Sequence, residues 1–164
     1  MQLPMPRPSR LLAPLRYLPS APLEVVIARV TSHLLADPLA DGALEGLTGG
    51  ALVVRMSDPE VELRFTLAGA RVCPASSGDE PRVIVRAALE DLVLVLAQRT
   101  DPDTLFFQRR LRLEGDTALG LEVKNLLDAI DPAALPGPVQ RVLDRAAASI
   151  IDDTNAGISS GYHA

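Results

Sequence analysis

Residues 101–131 read DPDTLFFQRRLRLEGDTALGLEVKNLLDAID, and two changes of period inside this stretch decide the fold. Asp101-Pro102 is a cap and first-turn pair, since the carboxylate accepts a free helix N–H and proline lacks the donor that would be orphaned there. It predicts a brief helical turn through Phe106. Leu111 and Leu113 then alternate with Arg110, Arg112 and Glu114, the period of a strand. From Asp116 the period lengthens to about 3.6, and Leu119, Val123, Leu126, Leu127 and Ile130 form one stripe, ended by Asp131-Pro132. A one-sided strand feeding an amphipathic helix implies a sheet with helices laid against it.

Upstream the same alternation recurs. Leu52, Val54 and Met56 alternate with Val53 and Arg55; beyond Ser57-Asp58-Pro59, Val61, Leu63, Phe65 and Leu67 alternate with Glu62, Arg64, Thr66 and Ala68. This predicts two strands with one wet face, paired antiparallel. A third short strand contains Val72, and a loop holding Pro74, Ser76, Ser77, Gly78 and Pro81 leads to a fourth at 82–86. A helix presenting Leu89, Leu92, Val93 and Leu96 follows, ending near Arg99. Earlier still, Leu23, Val26, Ile27, Val30 and Leu34 recur at helical spacing, with Ser20 read as the cap and Pro38 as the stop. Downstream, after Pro136-Gly137-Pro138, a last helix carries Val139, Val142, Leu143, Ala146 and Ile150.

The expected fold is therefore α+β: a five-stranded, mainly antiparallel sheet covered by helices on one face. Residues 1–21 stand apart as a basic, apolar, proline-interrupted arm with Arg7, Arg10 and Arg16 and no acid. The domain spans 22–151, and 152–164, small and polar, is expected to fray.

A chain of 164 residues suits one such domain. Its hydrophobic fraction is 48% but aromatics are 3% and Trp is absent, so the interior is aliphatic and deformable. A net charge of −5 argues against nucleic acid, which needs a basic face to displace counterions. The single Cys73 allows no internal disulfide and no cysteine cluster for zinc, and no metal or cofactor is expected. No run approaches the roughly 18 to 20 apolar residues that span a bilayer, and Pro4, Pro6, Pro8, Pro14 and Pro19 interrupt the start. The expected location is cytoplasmic, with any membrane contact peripheral, at the inner membrane.

Catalytic designs are hardly represented. His33 lies within a predicted helix and His163 is penultimate, so neither reads as a positioned base. Gly42, Gly46, Gly49 and Gly50 lack the ending of a phosphate loop. Among Glu114, Asp116 and Glu122, Asp116 reads as a helix cap and the other two as facing water. The chain is expected not to be an enzyme.

The double aromatic Phe106-Phe107, the basic strand 109–113, the Glu114-Gly115-Asp116 turn and the leucine-rich helix 119–127 together resemble the sterol carrier protein type-two domain family. With the upstream strands and the ALEDLVLVLAQ helix, the resemblance covers about residues 45–130. The fuller form, with the basic arm and with KNLLDAID running into a proline turn and last helix, is similar to the UbiT group of that family. Members of that group are accessory factors for oxygen-independent, anaerobic ubiquinone biosynthesis in bacteria. The resemblance implies an apolar cavity between sheet and helices, binding of polyprenylated isoprenoid quinone precursors, and cooperation with iron-sulfur hydroxylase partner proteins.

Each buried CH₂ contributes about 0.8 kcal/mol, so an aliphatic lining holds an isoprenoid without directed polar contacts. The expected lining set is Leu63 and Phe65 from the sheet, Phe106 and Phe107 at the aromatic turn, Leu119, Val123 and Leu126 from the stripe, and Val142 and Ile150 from a movable last helix. Gln108 is a candidate polar contact for a headgroup. Gly120, inside a helix, points to close backbone approach to the sheet. In the arm, Arg7, Arg10 and Arg16 with Leu11, Leu12, Leu15 and Leu18 are candidates for contact with an anionic leaflet. The residues leave two alternatives open: a general lipid or fatty-acyl carrier, and a protein-interaction subunit using the same apolar groove for a partner's helix.

Overall fold

Pro38 ends the first helix from four residues away. In the computed structural model, which describes residues 17, 19–57 and 60–159, helix α1 runs Ser20–Leu34. A proline ring inside a helix collides with the carbonyl four positions back, here that of Leu34. The chain therefore breaks at Leu35, and α2, Ala36–Ala40, takes Pro38 into its first turn, where the missing N–H has no intrahelical partner to lose. This corrects two expectations: the first helix stops at Leu34, four residues short of Pro38, which itself lies inside a second helix, and Ser20 is the first helical residue rather than the cap. Pro19 holds the cap position with extended backbone and no side-chain cap bond.

The strands are β1 (Ala51–Ser57), β2 (Glu60–Ala68), β3 (Arg71–Pro74), β4 (Pro81–Ala87) and β5 (Arg112–Gly115), in the order β3-β2-β1-β4-β5. Three pairings are antiparallel, and β1 with β4 is parallel. The parallel pair arises because β3 runs with β1 and the loop after it, 75–80, carries the chain across to the far side of β1. Arg64 holds that loop, its Nη2 donating to the Asp79 carbonyl at 2.6 Å and its Nε to that of Ser76 at 3.3 Å.

A side chain from α1 closes the β3 edge. The Val72 N–H donates to Ser32 Oγ at 2.9 Å, and that hydroxyl donates back to the Val72 carbonyl at 3.2 Å. Farther along, where Pro74 ends β3, the Arg64 N–H is taken by Glu24 Oε1 at 2.8 Å. Backbone groups open to another chain's strand are thereby satisfied within the fold.

The remaining helices are α3 (Leu89–Leu96), α4 (Pro102–Phe107), α5 (Thr117–Ala129) and α6 (Gly137–Ser159). Asp101 caps α4, accepting from Asp103 N at 3.0 Å, and Asp116 caps α5, accepting from Leu119 N at 3.0 Å. Helix α6 continues past Asp152, where a frayed tail was expected. The arm, and with it Arg7, Arg10, Leu11, Leu12, Leu15, Arg16 and Leu18, lies outside the described residues apart from Tyr17 and residues 19–21.

Helix α5 lies on β4 and β5, and Gly120 faces Leu113. A methyl group at Gly120 would stand 3.7 Å from Leu113 Cβ, an ordinary contact, so the approach is close without demanding glycine. Gly120→Ala is expected to raise stability by up to about 1 kcal/mol through helix propensity. A urea titration showing a loss instead would mean that α5 sits closer to the sheet than this.

Candidate functional site

The inner face of the sheet and the helices above it share one apolar interior. Leu63 and Phe65 project from β2, each 4% exposed, and Leu119 and Val123 come down from α5 into the same buried cluster. Leu126 is half-buried against it. The cross-strand register explains the sheet's share: Leu52 pairs with Phe65 and Val83, and Val54 with Leu63 and Val85, so these side chains emerge on one face.

The other expected residues lie elsewhere. Ile150 is buried, but in a second cluster where Ala146, Ala147 and Ile150 of α6 pack on Val93 and Ala97 beside and within α3. Phe106 is 42% exposed, Phe107 82% and Val142 68%. Helix α4 is short and buries Pro102 and Leu105, so the two residues after Leu105 turn away by about 100° and 200°. Gln108 is exposed, its Oε1 3.5 Å from Arg110 Nη1. Glu122 corrects a further reading: rather than facing only water, it accepts from the Leu44 N–H at 3.2 Å, where Leu44 takes a left-handed φ of 63°.

The expected lining set leaves out Leu47, Leu105 and Leu111, which are among the largest fully buried side chains. Sequence reasoning also passed over Glu90 and Asp91, acids buried in the first turn of α3. Two carboxylates in the otherwise aliphatic run LEDLVLVL were the available signal. Asp91 accepts from both Nε and Nη2 of Arg110, tying α3 to the segment entering β5.

A shallow cleft of about 270 Å³ opens where the ends of α3 and α5 meet the start of α4. Gln98, Arg99, Thr100, Asp101 and Asp128 line it with Val95, Pro102 and Leu127, and none of the expected lining residues reaches it. Among the described residues no three His, Cys, Asp or Glu side chains gather as a metal site, and no helix is long and apolar enough to cross a membrane.

On the outer face, Glu62 bonds Arg55 Nε at 2.6 Å and Arg64 Nη1 at 3.0 Å. The Arg55 hydrogen bond is the main influence holding its carboxyl below the usual carboxylate range. A carboxyl depressed on folding adds stability above its unfolded pKa and loses it as pH falls through the folded value. The stability difference between wild type and Glu62→Gln is therefore expected at neutral pH and to vanish on acidification below the ordinary carboxylate range. A difference that persists in acid would assign the effect to something other than this charge.

Comparison with known proteins follows the same outline. The model of the SCP-2 sterol transfer family matches residues 29–128. The ubiquinone biosynthesis accessory factor UbiT of Escherichia coli strain K12 is 38% identical over 136 residues, 83% of this chain and 78% of that protein. UbiT of Escherichia coli O157:H7 gives the same figures. Among solved structures, the UbiJ-SCP2 ubiquinone synthesis protein superposes with a TM-score of 0.53 at 20% identity, over 67% of this chain and 97% of that one. At that identity the likeness speaks for the fold alone.

Proposed function

This chain belongs to the SCP-2 sterol transfer family, and from that premise we propose that it is a non-catalytic lipid-binding accessory factor in ubiquinone biosynthesis. It binds polyprenylated quinone precursors and presents them to hydroxylase partners in the oxygen-independent pathway. The observation that carries this reading is the 38% identity to UbiT over 83% of the chain. The interior supports it, with Leu63 and Phe65 of β2 and Leu119 and Val123 of α5 belonging to one buried apolar cluster. The protein works in the cytoplasm with peripheral contact at the inner membrane, the basic arm supplying one anchor.

Entry runs past α6. That helix starts at Gly137, directly after Pro136, and is held to α3 by Ile150 and two alanines, so lifting it costs about 3–5 kcal/mol of apolar burial. An isoprene unit brings five carbons and recovers about 3–4 kcal/mol on burial. Two units therefore offset the opening, and each further unit adds affinity until the space is full.

Extraction and mass spectrometry of the purified protein, followed by titration with prenylated phenols of increasing chain length, tests this. Co-purifying isoprenoid lipid and an affinity that climbs with chain length are expected. Fatty acids bound as tightly as prenylated phenols would make the chain a general carrier. An empty protein that binds neither, yet forms a stable protein complex, would make it an interaction subunit.

A further inference from the structure

The register of the sheet sets three arginines in line on the face away from the helices. Arg112 of β5 pairs with Arg86 of β4, Arg86 with Arg55 of β1, and Arg55 with Glu62 of β2. Like charges directly opposite across strands repel, so the row is unfavourable unless something anionic meets it. The acids on this face compensate it only in part. Glu62 is shared by Arg55 and Arg64, Glu114 is bonded to Arg86 at 2.8 Å, and Glu60 stands at the far end opposite Ser57. Arg112 donates instead to the Arg109 carbonyl at 3.3 Å, and among the described residues neither Arg109 nor Arg112 has an acidic partner.

The segment that leads into β5 from Arg109 follows directly on an exposed aromatic ring. Phe107 is 82% exposed and packs edge-on against Phe106 with centroids 6.2 Å apart. Arg55, Arg86 and Arg112 across the sheet, Arg109 bonded to Arg112, and Phe107 two residues ahead of Arg109 together make up a positive, aromatic rim on a chain whose net charge is −5.

We propose that this rim docks on an anionic membrane surface, with the guanidinium groups meeting lipid phosphates and Phe107 entering the boundary between headgroups and acyl chains. Guanidinium groups bind phosphate oxygens in a fork, and an aromatic side chain is at home at that depth. A bilayer accepts both features at once without a shaped pocket, which an acidic protein partner would have to supply for Phe107. The contact is separate from the basic arm and does not depend on which cargo the interior holds.

The test is sedimentation of the full-length protein with vesicles of phosphatidylcholine alone and of phosphatidylcholine with about 30% phosphatidylglycerol. Wild type is expected to prefer the anionic vesicles and to lose them as salt rises. Arg109→Gln/Arg112→Gln should bind them about 25-fold more weakly, about fivefold for each arginine, and Phe107→Ser about tenfold more weakly. Arg109→Glu/Arg112→Glu should lose more, whereas the same reversal on α1 and α6, Arg29→Glu/Arg141→Glu, should stay within about twofold of wild type. Thermal midpoints establish that each variant is folded, and the glutamine pair carries the test if the reversal unfolds. Equal binding to both kinds of vesicle, no binding to either, or a glutamine pair that binds as wild type does because the arm alone anchors the chain, would each overturn the proposal.

Discussion

Gly115→Ala is expected to lower stability by about 3–5 kcal/mol, the largest effect of any single methyl group considered for this protein. Gly115 has a φ of +98°, where side chains with a Cβ are strained, and the added carbon would lie 2.3 Å from the Arg82 carbonyl oxygen. That oxygen is backbone and cannot swing aside. It also accepts from the Asp116 N–H at 2.9 Å, and Asp116 caps α5, so a shift that makes room loosens the corner joining β4, β5 and the helix. The acidic-Gly-Asp turn thus has a steric cause. Urea unfolding should show a lower midpoint at unchanged slope. A loss below about 1 kcal/mol would mean that this corner relaxes freely.

Arg110→Ala is expected to cost about 2–3 kcal/mol, because it strands a carboxylate. The Asp91 side chain is 5% exposed and that of Arg110 43%. Removing the arginine leaves a buried charge unpaired, while the exposed side of the guanidinium keeps the cost below that of a fully enclosed pair. Asp91→Asn removes the charge itself and should cost about 1 kcal/mol, leaving an arginine that water can solvate. The double variant should accordingly be more stable than Arg110→Ala alone. Chemical denaturation of the four proteins measures the coupling; Arg110→Ala no more harmful than Arg109→Ala, whose side chain has no acidic partner among the described residues, would sink the argument.

The buried interior was legible where it depended on alternation within one element. Leu63 and Phe65 alternate with Glu62 and Arg64, and Leu119, Val123 and Leu126 repeat along α5, so their inward direction followed from the period. Hydrophobicity alone does not give the direction of Phe106 and Phe107, which the length of α4 and the burial of Leu105 turn outward. Ile150 was expected among the lining residues; it is buried, and what it faces is α3.

Local chemistry in the chain was enough to determine the caps at Asp101 and Asp116, the order of helices and strands, and the polarity of each strand's two faces, because those depend on neighbours within about four residues. Pro38 was legible as a break, but the place of the break depended on a clash with Leu34. Only the folded arrangement decided that β4 runs parallel to β1, that Glu122 holds Leu44, that Asp91 finds Arg110, and that Arg55, Arg86 and Arg112 stand in a row. Each of those joins residues far apart in the chain through register and packing, which no local period encodes.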